Sequence, residues 1–218
     1  MFQFTPDINT TFILYGIFFV AFLSSALYSF ARDIKMDLNN RNQVISRKKI
    51  INTYKNILPL SLFNVILITL PTFYIISGII KPRQFRCIDL LWEFILLTVC
   101  TDITYFTFHY ILHIPILYKY FHKIHHRIKE PVGLSGVYFH PFDFIFGNII
   151  PVALPLIILH SSIPVIICWT VLVISNTILN AHSGLKTSIF HENHHILFNK
   201  NYGTNGFMDK LMNTYSIE

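Results

Sequence analysis

The residues of this chain whose type and spacing could do chemistry are its histidines. His109 and His113 form HxxxH, His122, His125 and His126 form HxxHH, and His191, His194 and His195 form HxxHH again. His140 and His182 stand singly between these groups, His160 stands apart, and the first 108 residues hold no histidine. Residues four apart on a helix share a face, and one three apart joins them, so HxxxH is expected to aim two imidazoles one way and HxxHH three. Neutral imidazole suits iron, copper, nickel and zinc. Eight clustered histidines, with His140 or His182 added, exceed what one tetrahedral zinc takes. They suit two metals with four or five nitrogens each, with room for an outside ligand. The chemistry this suggests is a non-haem dinuclear iron centre using dioxygen, with zinc as an alternative occupant on purification. The candidate ligands are His109, His113, His122, His125, His126, His140, His182, His191, His194 and His195.

Elements that could position so many ligands are apolar ones. The chain of 218 residues is 53% hydrophobic and 13% charged, with mean hydropathy +0.51, too apolar for an ordinary soluble domain. Ile8 to Ala31 is 24 residues without a formal charge, Asn56 to Ile80 is 25, and Phe144 to Leu185 is 42. About 20 helical residues cross a bilayer core, so the first two stretches can each span once and the third twice. The run His160-Ser161-Ser162-Ile163-Pro164 is the expected hairpin tip, and Pro151 and Pro155 should kink the first arm. Leu90 to Tyr110 is apolar except for Glu93 and Asp102 and reads as a further span ending in the first histidine pair. The expectation is an all-α integral membrane bundle of four to five spans with a histidine-rich metal-binding cap. It forms a single domain over 1–218, with anchor spans in 1–89 and a catalytic region in 90–215. No Lys or Arg precedes the first apolar stretch, so it should be retained as an anchor rather than cleaved. Cys87, Cys100 and Cys168 are scattered and read as packing residues.

The net charge of +6 does not indicate nucleic acid once its distribution is considered. Seven Lys/Arg lie between Arg32 and Lys55, four between Lys119 and Lys129, three after His182, and only Lys81, Arg83 and Arg86 elsewhere. The spans place the first three groups on one side, which the positive-inside rule makes cytosolic. Every clustered histidine falls on that same side, and His160 falls at the hairpin tip a bilayer away, which excludes it as a ligand. A metal transporter would instead place ligands near the midplane of the spans. There is no GxSxG elbow, P-loop or GxGxxG, so nucleophilic-serine catalysis and bound nucleotide are not indicated.

A carboxylate within a span is expensive and points to function. Asp102 lies seven residues before His109 and could orient a ligating histidine by accepting its other ring N–H. A helix-packing hydrogen bond or a protonated acid would serve as well. Asp143 and Glu192, with Glu130, are further candidates for that supporting role or plain loop charges, and Glu93 beside Trp92 reads as part of an interfacial anchor.

In combination these motifs resemble the fatty acid hydroxylase/sterol desaturase superfamily of histidine-box membrane enzymes. Asp102 with His109 and His113 is similar to its first box, and Tyr118 through His126 to its second. Pro131, Gly133, Tyr138 and His140-Pro141-Phe142-Asp143 resemble the segment that follows. Asn180 to Gly184 and Phe190 to His195 look like the later boxes, and Asn201-Tyr202-Gly203 like the segment behind them. The run Tyr118 to Asp143 is closest in pattern to 4-methylsterol oxidases, with sphingoid-base and fatty-acid hydroxylases near. Tyr110 stands where the family usually has Arg, Asp143 where it has Glu, and Met208 to Thr214 where it has Trp-Asp-Arg…Gly-Thr. The resemblance implies a lipid C–H oxygenase with two irons and dioxygen. It also implies a membrane lipid substrate and a b-type cytochrome with its reductase as electron donor, in the endoplasmic reticulum membrane. Desaturation, fatty-acid or sphingoid-base hydroxylation, and an inactive or structural metal-binding relative remain the alternatives.

Overall fold

The computed structural model describes residues 5–35, 46–80, 82–185 and 188–217. Arg41, Lys81 and Lys186 of the basic groups lie outside these. Five helices are long and apolar enough to cross a membrane: α1 (Ile8–Lys35), α2 (Arg47–Ile79), α3 (Leu90–Leu112, beginning at Cys87), α5 (Pro141–Ile158) and α6 (Ile163–Ala181). Among the described residues there are also three short α-helices: α4 (Pro115–Tyr120), α7 (Ile189–Leu197) and α8 (Phe207–Leu211). No strand occurs among the described residues. The outer faces of the long helices carry exposed side chains such as Ile13, Val20, Leu27, Leu67 and Leu91, as lipid contact requires.

The hairpin turns where the sequence expects it, α5 ending at Ile158 and α6 beginning after Ser161 and Ser162. The prolines in its first arm have local consequences. Pro151 has no N–H to donate to the carbonyl one turn earlier, and the backbone before it winds as a π-turn over Phe144–Ile149. Pro155 likewise leaves the Pro151 carbonyl without its helical donor, and Thr104 Oγ1 of α3 donates to it at 2.7 Å. The pairing fastens α5 to α3, its main neighbour.

Two apolar cores run along the bundle. One gathers Phe18 and Phe22 of α1, Ile57 and Val65 of α2, Val137 and Phe139, and Ile174 and Ile178 of α6. The other, toward the hairpin tip, gathers Leu14, Leu97, Leu156, Val165, Ile166 and Trp169. At that end Glu93 is not an exposed anchor residue. It is 3% exposed and paired with Arg83, whose amide also donates to the His160 carbonyl at 3.2 Å. A buried carboxylate in a span needs such a partner.

The first two spans also reach the histidine end. Tyr54 donates to Asp33 at 2.8 Å, Gly133 N to the same carboxylate at 3.4 Å, and Arg32 to the Leu179 carbonyl at 2.9 Å. A side chain at 133 would overlap Ser29 Oγ, so only glycine allows this approach. Asn64, in a π-turn of α2, donates to the carbonyls of Val137 at 3.1 Å and Phe139 at 2.9 Å.

Candidate metal centre

Nine histidines meet at one end of the bundle in two groups. His109, His113, His122, His126 and His194 form the first, and His125, His182, His191 and His195 the second. Within each, one ring nitrogen per residue lies within 4.8 Å of all the others. The two HxxHH motifs do not point three rings at one place, as helical spacing led us to expect. Each gives its i, i+4 pair to one group and its i+3 histidine to the other, in reciprocal fashion. His122 and His126 go to the first and His125 to the second, whereas His191 and His195 go to the second and His194 to the first. The first triplet is wound as a 3-10 turn and the second as α7.

The outer ring nitrogens are held by acceptors. His109 Nδ1 donates to the Tyr202 carbonyl at 2.8 Å, His194 to that of Lys200 at 2.6 Å, His182 to that of Thr177 at 3.1 Å and His125 to that of Tyr138 at 3.3 Å. His122 Nδ1 donates to Asp143 Oδ2 at 2.8 Å. A carbonyl can only accept, so these rings carry their proton on Nδ1 and turn an Nε2 lone pair inward. The inward atoms crowd together: His109 and His126 each lie 3.0 Å from His122, His194 lies 3.3 Å from His126, and His182 lies 3.4 Å from His125. Lone pairs facing one another at such distances, away from water, repel unless a cation lies among them. The donor set therefore fits bound metal. The first group offers five imidazoles, one more than a tetrahedral zinc uses. Burial, then the neighbouring imidazoles, pushes His125, His126, His191, His194 and His195 well below the ordinary imidazole value and His113 to about 3; burial alone brings His182 to about 4, against the opposing hydrogen bond to the Thr177 carbonyl. Neutral rings are the ones that bind metal.

Local structure explains the aim of several ligands. The π-turn Thr177–Ala181 at the end of α6 lets the Thr177 carbonyl accept both the amide of His182, at 3.3 Å, and its ring. After α7 the chain reverses through left-handed Phe198 (φ 62) and Asn201 (φ 56), which brings the Lys200 carbonyl back onto His194. Left-handed phenylalanine is strained, and such strain gathers at functional sites. Phe198 stacks on His126 with ring centroids 5.0 Å apart.

His140 is not in either group. It caps α5, its Nδ1 accepting from the Phe142 amide at 3.1 Å, and its ring packs on Phe121. The proline that follows makes it the N-cap and points the ring along its own helix. Asp102 does not touch a histidine either. It is fully buried and accepts from the amides of Thr204 (2.7 Å), Asn205 (2.8 Å) and Met208 (2.8 Å). Glu192 accepts from Ser188 Oγ, and Glu130 pairs with Lys49. Asp209 was missed by the sequence reading. It is fully buried and accepts from the amides of Tyr202 and Gly203, both at 2.8 Å. The signal was its place in the segment Met208 to Thr214, which follows the histidines.

A cavity of about 320 Å³ lies between the spans and ends at His182 and His191 of the second group. Its walls come from α1, α2, α3, α5 and α6 and from the loop Gly203–Asn205. Among the described residues, none that lines it is Lys, Arg, Asp or Glu. Thr98 of α3 and Leu172 of α6 are exposed at its rim, in the middle of their spans.

With that geometry in view, residues 94–214 match the family model for fatty acid hydroxylase. The chain belongs to the fatty acid hydroxylase family. Fatty acid hydroxylase ahd1 of Mycosarcoma maydis is 29% identical over 74% of this chain and 45% of its own length. Fatty acid hydroxylase domain-containing protein 2 of Homo sapiens is 32% identical over 57% of this chain and 38% of its own. Methylsterol monooxygenase 1 of Gallus gallus is 26% identical over 71% of this chain and 59% of its own. The chain thus spans less than half the length of the first two relatives. No solved structure matches it. Long apolar helices and a family of lipid-modifying membrane proteins make this chain an integral membrane protein. Its Tyr110 stacks along Phe106 and meets Tyr202 edge-on at 5.2 Å.

Proposed function

We propose that this protein is a membrane-bound lipid oxygenase with iron at both histidine groups, acting on a 4-methylsterol. The observation that carries the reading is a cavity between the spans, lined among the described residues mostly by apolar side chains and by no Lys, Arg, Asp or Glu, that reaches His182 and His191. When bound, the two irons would supply activation of dioxygen for attack on an unactivated C–H bond. The chain's own residues do the rest. The five- and four-histidine sets would hold the metals, and the carbonyls of Tyr202, Lys200, Tyr138 and Thr177 fix the ring tautomers. Asp143 holds His122 and brings one carboxylate against an otherwise neutral ligand set. The cavity walls exclude water from the reacting carbon and keep it beside the second group.

Among the described residues no Lys or Arg lines the cavity, which favours a sterol over a fatty acid whose carboxylate entered it. Fatty-acid or sphingoid-base hydroxylation and desaturation remain the runner-up reactions. Positive charge gathers on the side that carries the histidines, which supports a cytosolic centre, reached there by electrons from a b-type cytochrome and its reductase, in the endoplasmic reticulum membrane. The test is iron per chain in detergent-purified protein beside a His122/His125/His126→Ala variant, together with lipid extracts of cells with and without the protein. Close to two irons, lost in the variant, with 4-methylsterol accumulating in its absence, is the expected result. A single zinc indifferent to the triplet would overturn it.

A further inference from the structure

The loop from Tyr202 to Met208 serves the metal centre and the cavity at once, and two buried carboxylates hold it from opposite sides. We propose that these carboxylates divide the work: Asp209 positions the ligand His109, and Asp102 positions the wall that meets the substrate. This rests on the oxygenase reading for what the two sides are for, and on hydrogen bonds alone for the division itself.

Asp209 takes the first half of the loop. Its Oδ1 accepts from Tyr202 N at 2.8 Å and from Thr214 Oγ1 at 2.7 Å, and its Oδ2 from Gly203 N at 2.8 Å. The carbonyl of that same Tyr202 accepts His109 Nδ1 at 2.8 Å, so the peptide held by Asp209 sets the angle of a ligand. Asp102 takes the second half. Its Oδ1 accepts from Thr204 N at 2.7 Å, Thr204 Oγ1 at 3.0 Å and Asn205 N at 2.8 Å, and its Oδ2 from Met208 N at 2.8 Å. Thr204 and Asn205 line the cavity together with Gly203, so two of the three loop residues on that wall hang from Asp102. Gly203 is the junction. A Cβ there would lie 2.7 Å from Asp102 Oδ1 and 2.8 Å from Asp209 Oδ2, so only glycine lets both carboxylates close on the loop. Both aspartates are fully buried, and removing either would take the acceptor from its own donors while leaving the other set intact. Asp102 is therefore a positioning residue for substrate, although it sits seven residues from His109 on the same helix.

The experiment uses the full chain in detergent with Asp102→Asn and Asp209→Asn. It reads iron affinity, binding of a fluorescent sterol to the metal-free protein, and amide exchange across 201–209. Asp209→Asn is expected to weaken iron binding roughly 10–100-fold and leave sterol binding within about twofold, with faster exchange at 202 and 203. Asp102→Asn is expected to weaken sterol binding roughly tenfold and leave iron affinity within about twofold, with faster exchange at 204, 205 and 208. If either variant fails to fold, Thr214→Val and Thr204→Val each remove one donor from one carboxylate and should show the same split at smaller size. Parallel loss of both functions in each variant, or exchange that rises uniformly over 202–208 in both, overturns the division. Failure of the wild-type protein to take up iron would instead overturn the oxygenase reading, leaving exchange and sterol binding to judge the loop.

Discussion

His122 Nδ1 donates to Asp143 Oδ2 at 2.8 Å, with the two side chains 2% and 0% exposed. The bond joins the 3-10 turn of the first HxxHH to the start of α5, and it turns His122 Nε2 toward those of His109 and His126. In Asp143→Asn, one orientation of the amide places an NH2 against the ring N–H, and the other removes the negative charge while keeping the acceptor. Iron affinity should fall roughly 10–100-fold, as measured by competition with a chelator. Unchanged affinity would mean that Asp143 is a packing residue.

The membrane bundle was legible because apolar length alone decides it: Ile8 to Ala31 and Phe144 to Leu185 can do little else. The histidine end was legible too, because clustered imidazoles on one side have few other uses. Sharing of the triplets between two groups was not, since it depends on how α7 lies across the 3-10 turn, and no local pattern encodes that. His140 looked like a ligand because it stands between the histidine clusters on the same side of the membrane, yet in the fold it caps the helix that begins at Pro141. Asp102 pointed to function through its place in a span, but its partners are more than 100 residues away, and sequence spacing could show only the nearer His109.

Gly136 lies under His182. A Cβ there would come 2.9 Å from the Thr177 carbonyl and 3.0 Å from His182 Nδ1, the two atoms of the bond that orients this ring. Gly136→Ala should displace the ligand, costing about 1–3 kcal/mol of stability through overpacking. It should also lower metal occupancy at the four-histidine group before the five-histidine group. Elemental analysis across a chelator titration would show a two-step loss in the variant. A single step at the wild-type position would count against it.

Ala153 of α5 lines the cavity and touches neither histidine group. Ala153→Leu would fill space that substrate needs, and added bulk in an apolar pocket is worth roughly 10–200-fold in specificity. Turnover at low substrate should fall within that range while iron per chain stays at the wild-type value. Loss of iron along with turnover would mean that the cavity wall supports the fold rather than the substrate.

The stability of the metal-free protein should depend on pH with a definite sign. In the unfolded chain His113 and His182 take up protons near their ordinary value of 6.5, whereas burial holds them to about 3 and about 4 in the fold. Between those values the unfolded state binds more protons than the folded one, so unfolding becomes easier as pH falls. The contribution is complete above about 6.5 and is lost as pH drops toward 4, at about 1.4 kcal/mol per unit for each such group. The five other histidines pushed down by burial outside the spans act in the same direction. Thermal midpoints of chelator-stripped protein at pH 7.5, 6 and 5 should therefore descend. The iron-loaded protein should descend less until the metal leaves, because bound metal holds the rings unprotonated. A flat profile for the stripped protein would mean that the rings protonate freely once the metal is gone, and that the end of the bundle opens to water without it.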